Sequence, residues 1–186
     1  MRSVGIVFII LLALLGARCQ NRHQPLPNED PEKISSQEQL IKVNQLLVNK
    51  AASIISDEGA KRGWNLKQTG TGLFYEVIMD TKVKKNDGHK ITAGDEVTLE
   101  YSVSLLDGTL CYSSDKSGPK VFRVEKSEAE SGLHEAVKLL NEGDSARLVL
   151  PPHLGFGIVG DGNKIPPRAI LLYLIKIRSV RRMGKL

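Results

Sequence analysis

The chain has 186 residues, 41% of them hydrophobic and 25% charged, and carries a net charge of +5. That balance excludes a chain too polar to bury a core and fits one ordinary domain with an appendage. Part of the positive excess sits in the tail "RSVRRMGKL", so the charge does not call for a nucleic-acid surface.

Arg2 precedes an apolar run from Val4 to Leu15, followed by "GARC". A charged start, a short apolar core and small residues read as a secretory signal peptide over residues 1–18. The run is shorter than the roughly 20 residues a membrane span needs. Cys19 follows directly. The context resembles a bacterial lipobox, which makes Cys19 a candidate for lipidation, although Arg18 stands where that pattern has a small residue. The polar, proline-bearing stretch over residues 19–34 reads as a flexible tether. Cys19 and Cys111 are the two cysteines of the chain. With Cys19 acylated, Cys111 is a lone thiol. His23, His89, His134 and His153 are scattered without metal-ligand spacing, and no metal or cofactor is expected.

A helix is expected from about Ser36 to Gly59 within an N-terminal segment 35–63, with Ser36 as cap and Gln39 as its capping-box partner. Leu40, Val43, Leu47, Ala51 and Ile54 or Ile55 recur at helical spacing. Such a stripe packs on its own domain or pairs with a second copy. Glycines 63, 70 and 72 end the helix and lead to a strand over Leu73–Met79. "NDGHKITAGD" reads as a loop. In "EVTLEYSVSLLDGTLCYSS", Val97, Leu99, Tyr101, Val103 and Leu105 alternate onto one face, and Asp107-Gly108 is a hairpin signal. "KVFRVEK" is a short strand. "SEAESGLHEAVKLLNEGD" is a helix capped by Ser127, with Glu130 as its capping-box partner and Gly143 as its stop. "SARLVLP" and "AILLYLIKIRSV" are strands, the second central because it is apolar on both faces. The order implies an α+β domain, one antiparallel sheet bending around one helix.

Between the last two strands lies "LGFGIVGDGNKIPP". Residues 155–160 match G-x-G-x-x-G, but two prolines and an aliphatic run follow where a phosphate loop needs a helix. Taken with "GDEVTLEYSVSLLDGT", "SGLHEAVKLLNEGDSARLVLPPHLGFG" and "NKIPPRAILLYLIKI", the loop resembles the FKBP-type peptidyl-prolyl cis-trans isomerases over about residues 68–179, within a domain placed at 68–182. The signal peptide, the candidate lipid cysteine and the "RGWNLKQTGTGL" lead-in are similar to a gliding-motility-associated lipoprotein branch of the Bacteroidetes. The resemblance implies an FKBP-like sheet wrapped around a short helix, with the glycine loop as a flap over an apolar pocket. It implies an isomerase acting on proline-containing segments of exported or cell-envelope proteins. A chaperone or peptide-binding module with weak turnover is the alternative. The implied localisation is the envelope, through the anchor or as a soluble periplasmic or secreted protein, and no nucleic acid is implied as a partner.

Carried over by position, Tyr101, Phe156, Ile165 and Tyr173 become the catalytic set. Cys111, Tyr112, Phe122, Ala129, Glu130 and Leu133 become the substrate pocket, and the backbone N–H of Glu130 becomes the donor to a substrate carbonyl. Four positions depart from the family: Leu133 replaces a floor tryptophan, Phe156 a flap tyrosine, Cys111 a phenylalanine and Tyr112 an aspartate. These departures imply slower turnover and weak binding of the family's macrolide inhibitors.

Overall fold

A computed structural model of the protein describes residues 31–78 and 90–182. The signal peptide, Cys19, Met79 and the start of the "NDGHKITAGD" loop lie outside them. The chain divides into two units, Met1–Leu40 and Ile41–Leu186. The first is described only in its helical residues 31–40, and the second holds every strand of the sheet.

Period-two alternation places one face of β3 (Glu96–Leu105) inside, with Val97, Leu99 and Val103 buried. The Asp107-Gly108 turn folds it back onto β4 (Leu110–Ser113). Gly108 takes φ 95°, and Asp107 Oδ1 accepts the Thr109 N–H at 2.8 Å, so the expected hairpin forms as its turn chemistry demands. The other strands are β1 (Lys67–Gln68), β2 (Phe74–Ile78), β5 (Lys120–Arg123), β6 (Ser145–Leu150) and β7 (Leu171–Arg181). All pair antiparallel in the order β1-β2-β6-β7-β3-β4, with β5 also on β3. As its two apolar faces imply, β7 is central, between β6 and β3.

The sheet has two dry sides. On one, α3 (Ser131–Val137) buries Leu133, Ala136 and Val137 against Leu99, Val103, Leu148, Tyr173 and Ile175. On the other, α1 (Pro31–Lys61) sets Ile55 against Phe74, Val149 and Leu172. Beyond Lys61, Gly63 at φ 67° turns the chain out of α1. A short helix, α2 (Ser114–Ser117), and a 3-10 turn (Pro152–Leu154) complete the fold.

Three helix expectations are corrected. First, α1 begins at Pro31, so Ser36 lies inside it and not at its N-cap. Second, the apolar stripe of α1 is only partly covered: Ala51 and Ile55 are buried, while Val43, Leu47 and Ile54 are exposed. Third, α3 starts four residues after Ser127, at an N-cap of Glu130, and ends at Val137, before Gly143. Ser127 Oγ instead closes the preceding turn, accepting the Arg123 N–H at 2.7 Å and donating to the Arg123 carbonyl at 3.1 Å. The Glu130 side chain is drawn away from the helix start into an ion pair with Lys120.

Candidate functional site

The inner face of the sheet collects the residues of interest through register. Tyr101 pairs with Ile175 and Val103 with Tyr173. Side chains two apart on one strand share a face, so Tyr101 and Tyr173 look the same way. Leu133 on α3 reaches that face and is fully buried. The close approach of α3 requires Gly132, since a Cβ there would lie 2.6 Å from Leu150 Cδ2. The loop 155–168 crosses the same edge. Its Phe156 and Ile165 pack against the core that holds Leu133 and Tyr173, as do Cys111, Tyr112, Phe122 and Ala129. Phe122 also meets the His134 ring edge-on, with centroids 5.1 Å apart.

The loop is tied down rather than loose. Asp161 Oδ1 accepts the N–H groups of Asn163 at 2.9 Å and Ile165 at 2.8 Å. Its Oδ2 accepts the Tyr112 hydroxyl from β4. The Lys164 ammonium donates to the Cys111 carbonyl at 3.0 Å and lies 5.2 Å over the Tyr112 ring. At the tip, Ile158 and Val159 face solvent, so the loop covers the site with its ends and not with its middle. Asp161 is held below the usual carboxylate range. Burial opposes this, but the Tyr112 hydroxyl and the two backbone N–H donors outweigh it. The same hydrogen bond to Asp161 pushes Tyr112 up. Burial, then the Asp161 charge, pushes the Cys111 thiol up, which makes it an unreactive filler.

An ion pair stands in what was expected to be an apolar wall. Glu130 Oε2 accepts from Lys120 Nζ at 2.6 Å, and Oε1 accepts the Tyr173 hydroxyl at 2.8 Å. The Glu130 side chain is 9% exposed and that of Lys120 27%. Burial would raise the Glu130 carboxyl, yet the Lys120 ammonium, the Tyr173 hydroxyl and its own backbone N–H hold it below the ordinary range. Burial and the neighbouring Glu130 charge push the Tyr173 hydroxyl far up, with smaller contributions from Tyr101 and Cys111. Tyr101, Cys111, Tyr173, Glu130 and Lys120 therefore form one electrostatic neighbourhood. The cluster is apolar at Leu133 and Ile165 and charged on one side at Glu130 and Lys120.

Sequence reasoning missed Lys120, Asp161 and Lys164. Lys120 carried a readable signal. On a short strand it shares the inward face with Phe122 while Val121 and Arg123 point out, and an inward lysine requires a buried counter-charge. Among the described residues, no three His, Cys, Asp or Glu side chains group as metal ligands. A separate groove of about 610 Å³ lies between Leu47, Val48, Ala51 and Ile54 of α1 and the outer side of the loop at Ile158 and Arg168. It contains none of the site residues singled out from the sequence.

Residues 88–178 match the model of the FKBP-type peptidyl-prolyl cis-trans isomerases. FK506-binding protein 1 of Dictyostelium discoideum is 31% identical over 98 residues, which cover 52% of this chain and 92% of that one. The chain belongs to the FKBP-type peptidyl-prolyl cis-trans isomerase family. A probable FKBP-type isomerase, FkpA, of Neisseria meningitidis is 35% identical over 132 residues, 70% of this chain and 45% of that protein. The chain spans about half the length, 44% to 56%, of four of the curated relatives it matches. A solved peptidyl-prolyl isomerase from Pseudomonas syringae superimposes with a TM-score of 0.59 at 25% identity, covering 74% of this chain and 96% of that one. Within this FKBP frame Tyr112 and Asp161 are a finding of their own. At position 112, where the resemblance implies an aspartate, a tyrosine donates its hydroxyl to an aspartate from the loop.

Proposed function

We propose that the chain is a peptidyl-prolyl cis-trans isomerase that assists the folding of exported or cell-envelope proteins. The observation that carries this is the convergence of Tyr101, Leu133, Phe156, Ile165 and Tyr173 on one packed cluster at the inner face of the sheet, with no activated nucleophile among them. Rotation about an X-Pro bond faces a barrier of roughly 18–20 kcal/mol because resonance keeps the amide planar. No bond is broken, so the site needs only to favour the twisted amide. The twisted form has a smaller dipole and loses less on leaving water. Leu133 and Ile165 supply the dry floor, Tyr101 and Tyr173 the aromatic wall, and Phe156 the cover. Cys111, Tyr112, Phe122 and Ala129 complete the pocket, and the Glu130 backbone N–H is the carbonyl donor.

We infer the envelope placement from the apolar run at Val4–Leu15 and from Cys19. No helix among the described residues is long and apolar enough to cross a membrane. Residues 1–18 are read as the signal, the tether expected over 19–34 is cut back to 19–30 by the start of α1 at Pro31, and 68–182 are read as the isomerase domain of the gliding-motility-associated lipoprotein branch. Mass spectrometry of the protein recovered from cells tests the anchor, and an unmodified Cys19 refutes it. The exposed Val43, Leu46 and Leu47 of α1 support pairing of two copies through that helix. Sedimentation equilibrium tests it, and a monomer at high concentration rejects it.

The activity is tested by cis-to-trans conversion of short X-Pro peptides. Wild type should accelerate it, and Tyr101→Ala and Phe156→Ala should lose the acceleration. Phe156→Tyr, which restores a hydroxyl donor, should raise the rate about fivefold, the equivalent of one ordinary hydrogen bond. No acceleration by wild type, together with suppressed aggregation of an unfolded client, would move the reading to a chaperone.

A further inference from the structure

The Lys120–Glu130–Tyr173 cluster points to a substrate preference. We propose that Glu130 is a specificity-determining residue that selects proline segments carrying a lysine or arginine next to the proline, the incoming cation taking the place of Lys120. The inference rests on the isomerase-site reading for its location.

The two partners of Glu130 are unequal. Tyr173 is a buried residue of the central strand, 1% exposed, and cannot leave without dismantling the core. Lys120 starts a strand of only four residues, and its side chain is three times as exposed as that of Glu130, 27% against 9%. Its flexible stem lets the ammonium move to water while the carboxylate stays behind. Glu130 then has one oxygen held by Tyr173, which shares the inner face of the sheet with Tyr101, and the other open.

A buried carboxylate without its cation is strongly disfavoured. A neutral residue beside the proline must therefore bind with Lys120 still in place, on a narrowed pocket. A lysine or arginine replaces one cation by another and leaves Glu130 compensated throughout. An acidic residue meets Glu130 as a like charge. Preference should run from cationic through neutral to acidic. One charge-assisted hydrogen bond, offset by the loss of Lys120, should give about fivefold between lysine and norleucine, which has the same stem without the charge.

The test uses the whole protein and peptides with lysine, norleucine or glutamate before or after the proline. Binding is read by NMR titration and turnover by kcat/KM. Wild type should favour lysine over norleucine about fivefold. Lys120→Met, which removes the competing cation, should raise that ratio to about thirtyfold. Glu130→Gln, which keeps an oxygen for the Tyr173 hydroxyl, should bring it to about one. A ratio near one in wild type, or one that Glu130→Gln leaves unchanged, overturns the proposal and makes the cluster a structural brace. The wild-type series and Glu130→Gln decide the matter even where Lys120→Met fails to fold. Turnover with no charge preference sinks this inference alone. Charge-selective binding without turnover sinks the isomerase reading alone.

Discussion

Removing Lys120 alone should harm the fold more than removing Lys120 and Glu130 together. In Lys120→Met, Glu130 keeps the Tyr173 hydroxyl at 2.8 Å but loses the ammonium at 2.6 Å. Stripping one partner from a buried pair costs about 3–5 kcal/mol in general. Here a ceiling applies, because the carboxyl can protonate instead. Protonating a glutamate of ordinary pKa about 4.3 at pH 7 costs about 3.7 kcal/mol, at 1.36 kcal/mol per pH unit. At pH 5 the same ceiling is about 1 kcal/mol. The bare carboxylate therefore costs about 2–4 kcal/mol at pH 7 and no more than about 1 kcal/mol at pH 5, and the wild-type pair's own contribution is lost in addition.

The direction follows from where the carboxyl titrates. In wild type Glu130 lies below its ordinary value, so its contribution is present at neutral pH and is lost as pH falls through the folded value. In Lys120→Met it rises above the ordinary value. That variant's deficit is full at pH 7, shrinks as pH falls toward about 4.3, and vanishes only below the lowered wild-type value, where Glu130 is protonated in both proteins. The double variant K120M/E130Q replaces the ion pair with neutral side chains, keeps an oxygen for the Tyr173 hydroxyl, and should stay within about 1 kcal/mol of wild type at both pH values. Urea unfolding followed by Trp64 fluorescence measures all three proteins. Additive losses in the double variant, or a Lys120→Met deficit that does not change with pH, would refute the reasoning.

Two further outcomes concern the loop over the site. Asp161→Ala removes the acceptor for Tyr112, Asn163 and Ile165, so amide exchange at residues 163–165 should quicken while β7 stays protected. Because Asp161 titrates below its ordinary value, the wild-type loop should hold above about pH 3.9 and loosen as pH falls through the folded value. Equal protection in the variant and wild type would reject this role. Gly160→Ala puts a Cβ 2.2 Å from the Ile165 carbonyl oxygen at φ +72°. It should lower stability by at least about 2 kcal/mol, and an unchanged melting temperature would show that the loop does not adopt this conformation.

Much of the fold is legible in the chain because it rests on local rules. The alternation from Val97 to Val103, the Asp107-Gly108 turn and the doubly apolar start of β7 each specify their own geometry, and the structure follows them. The set Tyr101, Leu133, Phe156, Ile165 and Tyr173 was readable through resemblance, motif by motif. Where local rules competed with burial, they lost. Ser127 and Glu130 have the spacing of a capping box, whose contribution is about 1 kcal/mol. Pairing Glu130 with an inward lysine avoids a larger desolvation cost, so the helix starts later and the carboxylate turns inward.

By itself, the sequence determined the longer strands, the Asp107-Gly108 hairpin and that one sheet packs one face on one short helix, since each follows from periods and turn residues a few positions apart, while β1, α2 and the inward Lys120 were not read from it. Only the tertiary structure decided what that face is made of electrically. Lys120, Glu130 and Tyr173 are separated by 10 and 43 positions, as Tyr112 and Asp161 are by 49. No local pattern links such residues. They meet because chain closure brings β5, the start of α3, β7 and the loop to one side of the sheet, where low dielectric makes an unpaired charge costly and so selects the partners.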